Sequence, residues 1–405
     1  MQFVYCILYL LFICCGYLFG QLFIPGSPLN NLQILTLLML AICVKIDRKP
    51  QCDKYLFLYF CFIILYFVFE LLLGYLSRFI AFFRTYIFIG YVFYWATKIL
   101  VQKYNTLWPL VITATIIGVF DSIITGFQAL GIPITNSLVN SLILDNSFNE
   151  YMESHSDGMG VAVSGLYYSP VFNGHNLLFF YFLSLLSCQK YKKWFLFIPS
   201  VIILVGLFFC QQRSAFYIAV FMSFILYVKR VSLSPVKTFF MLITLSIIII
   251  YVLPVFIDYV DSSGSRMLSS DDTNRFNIWE KGIVYFLEHP FVCSYHDFVI
   301  EKKSYPHNLL LSVLVSGGLL GFYFISRMLY LQLKFIYATY KVYHAHIIVL
   351  IISFCYLVLV FDSMSHNTGW VDGDYSTFIC WSLCYYSFVY YIPNRYGGGK
   401  LIRKG

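Results

Sequence analysis

The sequence predicts an all-α polytopic membrane protein of about 12 transmembrane helices, with one large extracytoplasmic loop between spans 9 and 10. Three observations carry this. Hydrophobic residues make up 60% of the 405 positions and charged residues 11%, against roughly 25% charged in soluble domains. The apolar runs are about 18 to 24 residues long and lack two-residue alternation, so they read as helices and not as barrel strands. The basic residues also segregate to alternate connections along the chain.

Apolar windows place spans near 4–22, 29–46, 55–73, 79–98, 107–129, 171–188, 194–211, 214–229, 238–257, 308–330, 346–361 and 375–392, each about 19 residues wide. The first run has no Lys or Arg before it and no small-residue cleavage pattern after it, so it is expected to be retained and not removed as a leader. With the N-terminus inside, the inner connections hold Lys45, Arg48, Lys49 and Lys54, then Lys98 and Lys103, then Lys190, Lys192 and Lys193. Further along they hold Lys229, Arg230 and Lys237, then Arg327, Lys334 and Lys341, and finally Arg395, Lys400, Arg403 and Lys404. These are 19 of the 27 basic residues. Only Asp47 and Asp53 among the acids fall on that side, so both termini are predicted cytoplasmic. The net charge of +8 follows from this bias beside anionic headgroups, and no nucleic-acid partner is expected.

The chain has no internal repeat and no linker, and reads as one integral membrane domain over 1–405. Two long outer segments, 131–170 and 258–307, and a short one from Asp362 to Asp374 are candidates for the working surface. Within the large loop, Phe276, Trp279, Ile283, Phe286 and Leu287 recur at helical spacing behind Asp271, Asp272 and Thr273. They predict an amphipathic helix near 274–288, stopped by Pro290 and lying on the membrane surface or the mouth of the bundle. Arg275 falls in its first turn, where the helix dipole disfavours a cation. It is either paired with Asp271 or Asp272 in solvent or placed there for a ligand.

Downstream, Tyr305-Pro306-His307-Asn308-Leu309-Leu310 opens a span, which sets His307 and Asn308 at its outer mouth. A neutral imidazole there could accept a proton or contact a phosphate. Gly317, Gly318 and Gly321 read as close-packing positions. Arg213, beside Ser214, lies in a turn between two nearly continuous spans. It either snorkels to lipid phosphate or serves a bound anion. Asn173 and His175, in the segment entering the sixth span, read first as fold-supporting polar contacts, in a segment that is also a candidate lining of the cavity. Glu70, Arg84 and Asp121 are the plausible intramembrane charges, with Arg84 and Asp121 a candidate pair.

Together these segments resemble the O-antigen ligase and polymerase superfamily of bacterial inner-membrane proteins. The carrying features are Arg213-Ser214 after a mid-chain span, the Arg275-x-x-x-Trp279 helix ending in His289-Pro290, and Pro306-His307-Asn308-Leu309-Leu310 followed by Gly318-Leu319-Leu320-Gly321. The resemblance covers residues 160–330. It implies a GT-C-like membrane glycosyltransferase fold and a glycan carried on undecaprenyl pyrophosphate, used at the periplasmic face. It further implies that Arg213, Arg275 and His307 correspond to the family's functional Arg and His positions, and these are the expected catalytic residues. Asn308, Trp279, Ser214 and Asn173 are the substrate-binding candidates. The sequence departs from the usual pattern at Cys293, where related chains often carry a Gly-x-Gly turn after the proline.

The expected activity is O-antigen polymerisation in lipopolysaccharide or capsule synthesis, with transfer of finished glycan to lipid A core as the alternative. A flippase for the same lipid-linked sugar is the non-enzymatic reading, disfavoured because the chain lacks repeated halves and an ordered series of buried charges. No cofactor is expected. Catalysis is expected without metal, since the first outer loop, 23–28, has no paired carboxylates and Asp372-Gly373-Asp374 reads as a solvated turn. The expected partners are the lipid-linked oligosaccharide, membrane lipid and, optionally, a chain-length regulator.

Overall fold

Apolar runs become helices wherever the chain is described, and no strand occurs among the described residues. The structure is a computed structural model and describes residues 2–19, 31–48, 52–130, 132, 163–167, 170–191, 197–230, 273–364 and 375–396. The helices are α1 (Gln2–Cys14), α2 (Asn31–Ile46), α3 (Lys54–Leu72), α4 (Leu76–Phe82), α5 (Phe88–Gln102), α6 (Trp108–Ala129), α7 (Pro170–Tyr191) and α8 (Ile198–Phe209). They continue with α9 (Arg213–Arg230), α10 (Thr273–Glu288), α11 (Tyr295–Lys302), α12 (Leu309–Tyr343), α13 (Ile347–Ser363), α14 (Tyr375–Tyr386) and α15 (Ile392–Tyr396).

Among the described residues, α3, α6 and α12 are long and apolar enough to cross a membrane. Several other expected spans form shorter apolar helices, while the one near 238–257 lies outside the described residues, as do Asp271, Asp272, Asp372 and Asp374. Helix α3 begins where Asp53 accepts from the amides of Tyr55 and Leu56 at 2.9 Å each, a side-chain cap for donors that the helix itself leaves open. Helix α12 begins the same way, Asn308 Oδ1 accepting from the Leu311 amide at 3.1 Å.

The aromatic content has a use inside the bundle. Tyr5, Tyr9, Phe12, Tyr59, Phe62, Tyr66, Phe93 and Trp381 are fully buried. Buried phenols need partners: Tyr5 donates to the Ala96 carbonyl at 2.7 Å, Tyr9 pairs with Thr97 Oγ1 at 2.8 Å, and Tyr17 pairs with Ser376 Oγ at 2.6 Å. These bonds tie α1 to α5 and to α14.

Charged groups divide between the two ends of α3. At the Asp53 end Lys98 is buried against Asp47, and Lys103 Nζ donates to the Ile46 carbonyl at 3.0 Å. The Glu70 end faces the segment 273–308. The expected pairing of Arg84 with Asp121 does not form. Arg84 is exposed on a π-helical turn, whereas Asp121 is fully buried and accepts from the Leu166 amide at 2.9 Å. The segment 163–167 is non-helical and runs inside the protein, so its backbone needs side-chain partners. Asp121 supplies one, and Gln128 grips both the amide and the carbonyl of Gly165, at 2.8 and 3.1 Å.

The helix expected near 274–288 is α10, but its apolar stripe splits. Gly282 and Tyr285 are buried, Trp279 and Phe286 half-buried, and Phe276, Ile283 and Leu287 point outward. The span expected at 308–330 continues to Tyr343 and is broken at Gly318, with φ 56° and ψ −157°. There the Leu319 amide donates to the Pro290 carbonyl at 3.2 Å, so the loop end is stitched into the break. Gly317 and Gly321 face the Phe62 ring, where added Cβ atoms would sit 3.0 and 3.1 Å away.

Gly318 adopts a conformation open essentially to glycine alone, and an added Cβ would lie 2.9 Å from the Pro290 carbonyl oxygen. Gly318→Ala should therefore destabilise the protein by about 1–3 kcal/mol, read as a lower thermal unfolding midpoint in detergent. An unchanged midpoint would contradict the stitched break.

Candidate functional site

Two segments meet at the end of α13, where the apolar run Ile347–Phe361 terminates in Asp362, Ser363 and Met364, and a third lies beside the second of them. The Asp362 carboxylate is fully buried. Its Oδ2 lies 2.8 Å from His175 Nδ1 on α7, and its Oδ1 accepts from Ser214 Oγ at 2.8 Å and from Gln212 Nε2 at 3.4 Å. A carboxylate so far from water requires such donors. The cluster fixes the short turn joining α8 to α9, which passes through Gln211 at φ 54°.

Arg213 is the first residue of α9 and is half-buried. Its neighbour Ser214 is anchored on Asp362, so the backbone that carries the guanidinium is held against the end of α13. The positive end of the α9 dipole does not favour a cation there. A guanidinium at a helix start is chemically suited to an anion, which its fork of N–H donors can contact.

The second segment is the turn before α12. Asn308 caps that helix with its carbonyl and donates from Nδ2 to the Met364 carbonyl at 2.7 Å. Its cap and its cross-link together bind the mouth of α12 to the residues beside Asp362. His307 precedes it at φ 50°, a left-handed conformation uncommon for a non-glycine residue. Such strain persists where the surroundings impose it, and Asn308 and Pro306 flank it here. The imidazole is half-buried beside the Tyr305 ring, with ring centroids 6.4 Å apart.

The third segment is α10. Arg275 lies in its first turn, half-buried and close enough to His307 for its charge to act there. Burial, and then the Arg275 charge, push the His307 pKa below its ordinary 6.5. The ring is therefore neutral near neutral pH, able to accept a proton or a hydrogen bond. Trp279 lies one turn along, half-buried, edge-on to Phe276 with centroids 5.5 Å apart. Its indole N–H is buried and makes no hydrogen bond among the described residues.

The structure thus brings Arg213, Ser214, His307 and Asn308 to one place through the end of α13, and sets Arg275 beside His307. Asn173 belongs elsewhere. It is fully buried and donates from Nδ2 to Thr125 Oγ1 at 3.0 Å, in the polar layer around Gly165. That bond holds α7 to α6, apart from the cluster at Asp362. Asp362 enters the sequence reading only as the start of a short outer loop, although a carboxylate ending an apolar run is a costly placement and so a signal. His175 gives no such signal, because its partner is 187 positions away.

Residues 198–326 match a family model described as O-Antigen ligase. No curated protein and no solved structure matches the chain. The matched segment runs from α8 into α12 and contains Arg213, Ser214, Arg275, Trp279, His307 and Asn308, while Asn173, His175 and Asp362 fall outside it. The match is consistent with a member of the O-antigen ligase and polymerase superfamily, whose members are glycosyltransferase-like enzymes, and it does not separate the two activities.

A His whose folded-state pKa is depressed keeps its stabilising neutral form above pH 6.5 and loses it as pH falls through the lowered value. Modification of the His307 peptide by diethyl pyrocarbonate, followed by mass spectrometry, should titrate with a midpoint below 6.5. In Arg275→Gln the midpoint should rise but stay below that of a free imidazole, because burial is the larger cause. A wild-type midpoint at or above 6.5 would contradict the geometry.

Proposed function

We propose that this chain is an O-antigen polymerase, joining undecaprenyl-pyrophosphate-linked oligosaccharide units at the periplasmic face of a bacterial inner membrane, with both termini cytoplasmic. The observation that carries the reading is the Arg275 charge beside a neutral imidazole at His307, with Arg213 on a turn fixed to the same end of α13 that Asn308 bonds. All of these residues lie inside the matched segment. Positive charge held in a partly dry mouth beside a group that can take a proton suits transfer from a pyrophosphate carrier.

In this reaction a hydroxyl oxygen of one lipid-linked unit attacks the anomeric carbon of another. The new glycosidic C–O bond forms as the C–O bond to pyrophosphate breaks, and undecaprenyl pyrophosphate departs with the bonding electrons. Arg213 and Arg275 stabilise the charge that gathers on the leaving group, a contribution of about 3–4 kcal/mol per donor in comparable sites. His307, neutral and half-buried, takes the hydroxyl proton or contacts the leaving group. The two guanidinium groups supply the positive charge that a metal provides in other glycosyltransferases, so this route calls for none. Ser214 and Asn308 act through the end of α13, holding Arg213 and His307 in position. Trp279 offers an indole N–H that no described residue accepts, and an aromatic face for a sugar.

The description of the matching family favours a second reading, transfer of finished glycan to lipid A core. The same donor chemistry serves it, and only the acceptor differs.

Surface lipopolysaccharide from a strain deleted for the gene should run as core bearing a single repeat unit, and the wild-type gene should restore the ladder. Arg213→Ala and Arg275→Ala should fail to restore it at near-normal protein levels, and His307→Ala should restore little. Core without any repeat unit, with lipid-linked polymer accumulating, would assign the ligase reaction instead. An unchanged ladder after deletion, or near-normal complementation by both Arg variants, would overturn the proposed site.

A further inference from the structure

Glu70 lies in the last turn of α3 and is fully buried. An unpartnered carboxylate at that depth would be strongly destabilising, yet its partners come from a segment more than two hundred residues away. Oε1 accepts from Ser294 Oγ at 2.7 Å, and Oε2 lies 2.9 Å from His296 Nδ1. Ser294 in turn caps α11, accepting from the Asp297 amide at 3.0 Å. Asp297 then receives two phenols, Tyr75 from the α3–α4 turn and Tyr285 from α10, each at 2.9 Å. The Tyr75 amide closes the ring of contacts by donating to the Glu70 carbonyl at 2.7 Å.

The segment held this way is the one that carries Arg275. Tyr285 lies on α10, ten positions after Arg275, and is itself fully buried. Otherwise α10 rests on α12 through Gly282, whose added Cβ would meet Leu311 at 2.6 Å, and through the Pro290 carbonyl stitched to Leu319. Much of its remaining surface is turned outward, with Phe276 and Leu287 each 67% exposed. A helix with so little buried area depends on its polar anchors for a fixed position, and a charge-assisted anchor of two bonds is the strongest of these.

We propose that Glu70 is a positioning residue for glycan transfer: through Ser294, His296, Asp297 and Tyr285 its buried carboxylate sets the seat of α10 and hence the place of Arg275. This rests on the reading of Arg275 as a contact for the donor pyrophosphate. The Nδ1–H tautomer of a neutral His296 suffices for the bond, so the anchor needs no second charge.

The test uses the full-length protein in nanodiscs, with two readouts. Amide hydrogen exchange across 275–302 reports the seat of the loop without reference to activity. Transfer with purified lipid-linked repeat units reports KM and kcat. Glu70→Ala should raise exchange in 285–302 on the order of tenfold, the effect of losing hydrogen bonds to a buried charge, while 320–343 stays protected. KM for the donor should rise by a similar factor. Glu70→Gln, whose amide can still bond Ser294 and the other tautomer of His296, should recover most of both. Ser294→Ala, which leaves α3 intact, should repeat the Glu70→Ala effects and covers the case in which that variant does not fold. Unchanged exchange in both alanine variants overturns the proposal, as does raised exchange with unchanged KM and kcat. Raised exchange in the variants with no transfer by the wild type would sink the polymerase reading, and the positioning role with it, while leaving the anchor itself in place.

Discussion

A carboxylate enclosed by these helices must find its donors within the protein, because lipid supplies none. That constraint organises the end of the bundle where the candidate site lies. Asp362 is buried at the close of an apolar helix and gathers His175, Ser214 and Gln212, so that α7, α9 and α13 are fixed at one point. Asn308 adds the mouth of α12 two residues further on. The site residues proper need not pack tightly themselves, since their neighbours are held. Arg213 follows from Ser214, His307 from Asn308, and Arg275 from the anchoring of α10.

Two buried carboxylates thus do related work at separate points. Asp362 fixes the wall that carries Arg213 and His307, and Glu70 fixes the loop that carries Arg275. Asp121 does a third version of the task, satisfying the Leu166 amide where non-helical backbone enters the protein. Hydroxyl, amide and imidazole donors serve these carboxylates: Ser214, Gln212 and His175 at Asp362, Ser294 and His296 at Glu70, and the Leu166 amide at Asp121. Arg213 and Arg275 each stand in the first turn of a helix. Positive charge at two helix starts is unfavourable locally, which is the kind of cost that a functional site carries.

The helical class was legible from hydropathy alone, as were the start of α12 at Asn308 and the helix near 274–288. Arg213, Arg275 and His307 stand out in the sequence through local motifs, each beside a recognisable turn or helix start. The partners that hold them were not legible. Glu70 finds Ser294 across 224 positions and Asp362 finds Ser214 across 148, and a one-dimensional pattern carries no trace of such pairings. The same limit explains the failed pairing of Arg84 with Asp121, where opposite charge suggested a contact and backbone satisfaction decided otherwise. The bond of Asn173 to Thr125 was likewise not legible, its partner being 48 positions away. The split face of α10 has a similar cause: periodicity identifies the apolar stripe, but the packing of Gly282 on Leu311 decides which side turns inward.

The central claim is that Arg213 and Arg275 form one anion site for a pyrophosphate-linked lipid. Native mass spectrometry of the protein in nanodiscs tests it most directly, by comparing retention of undecaprenyl pyrophosphate with that of the uncharged alcohol. The account predicts a clear preference for the pyrophosphate in the wild type, weakened in Arg213→Ala or Arg275→Ala and lost in the double variant. Equal retention of both lipids by the wild type, or an undiminished preference in the double variant, would contradict it.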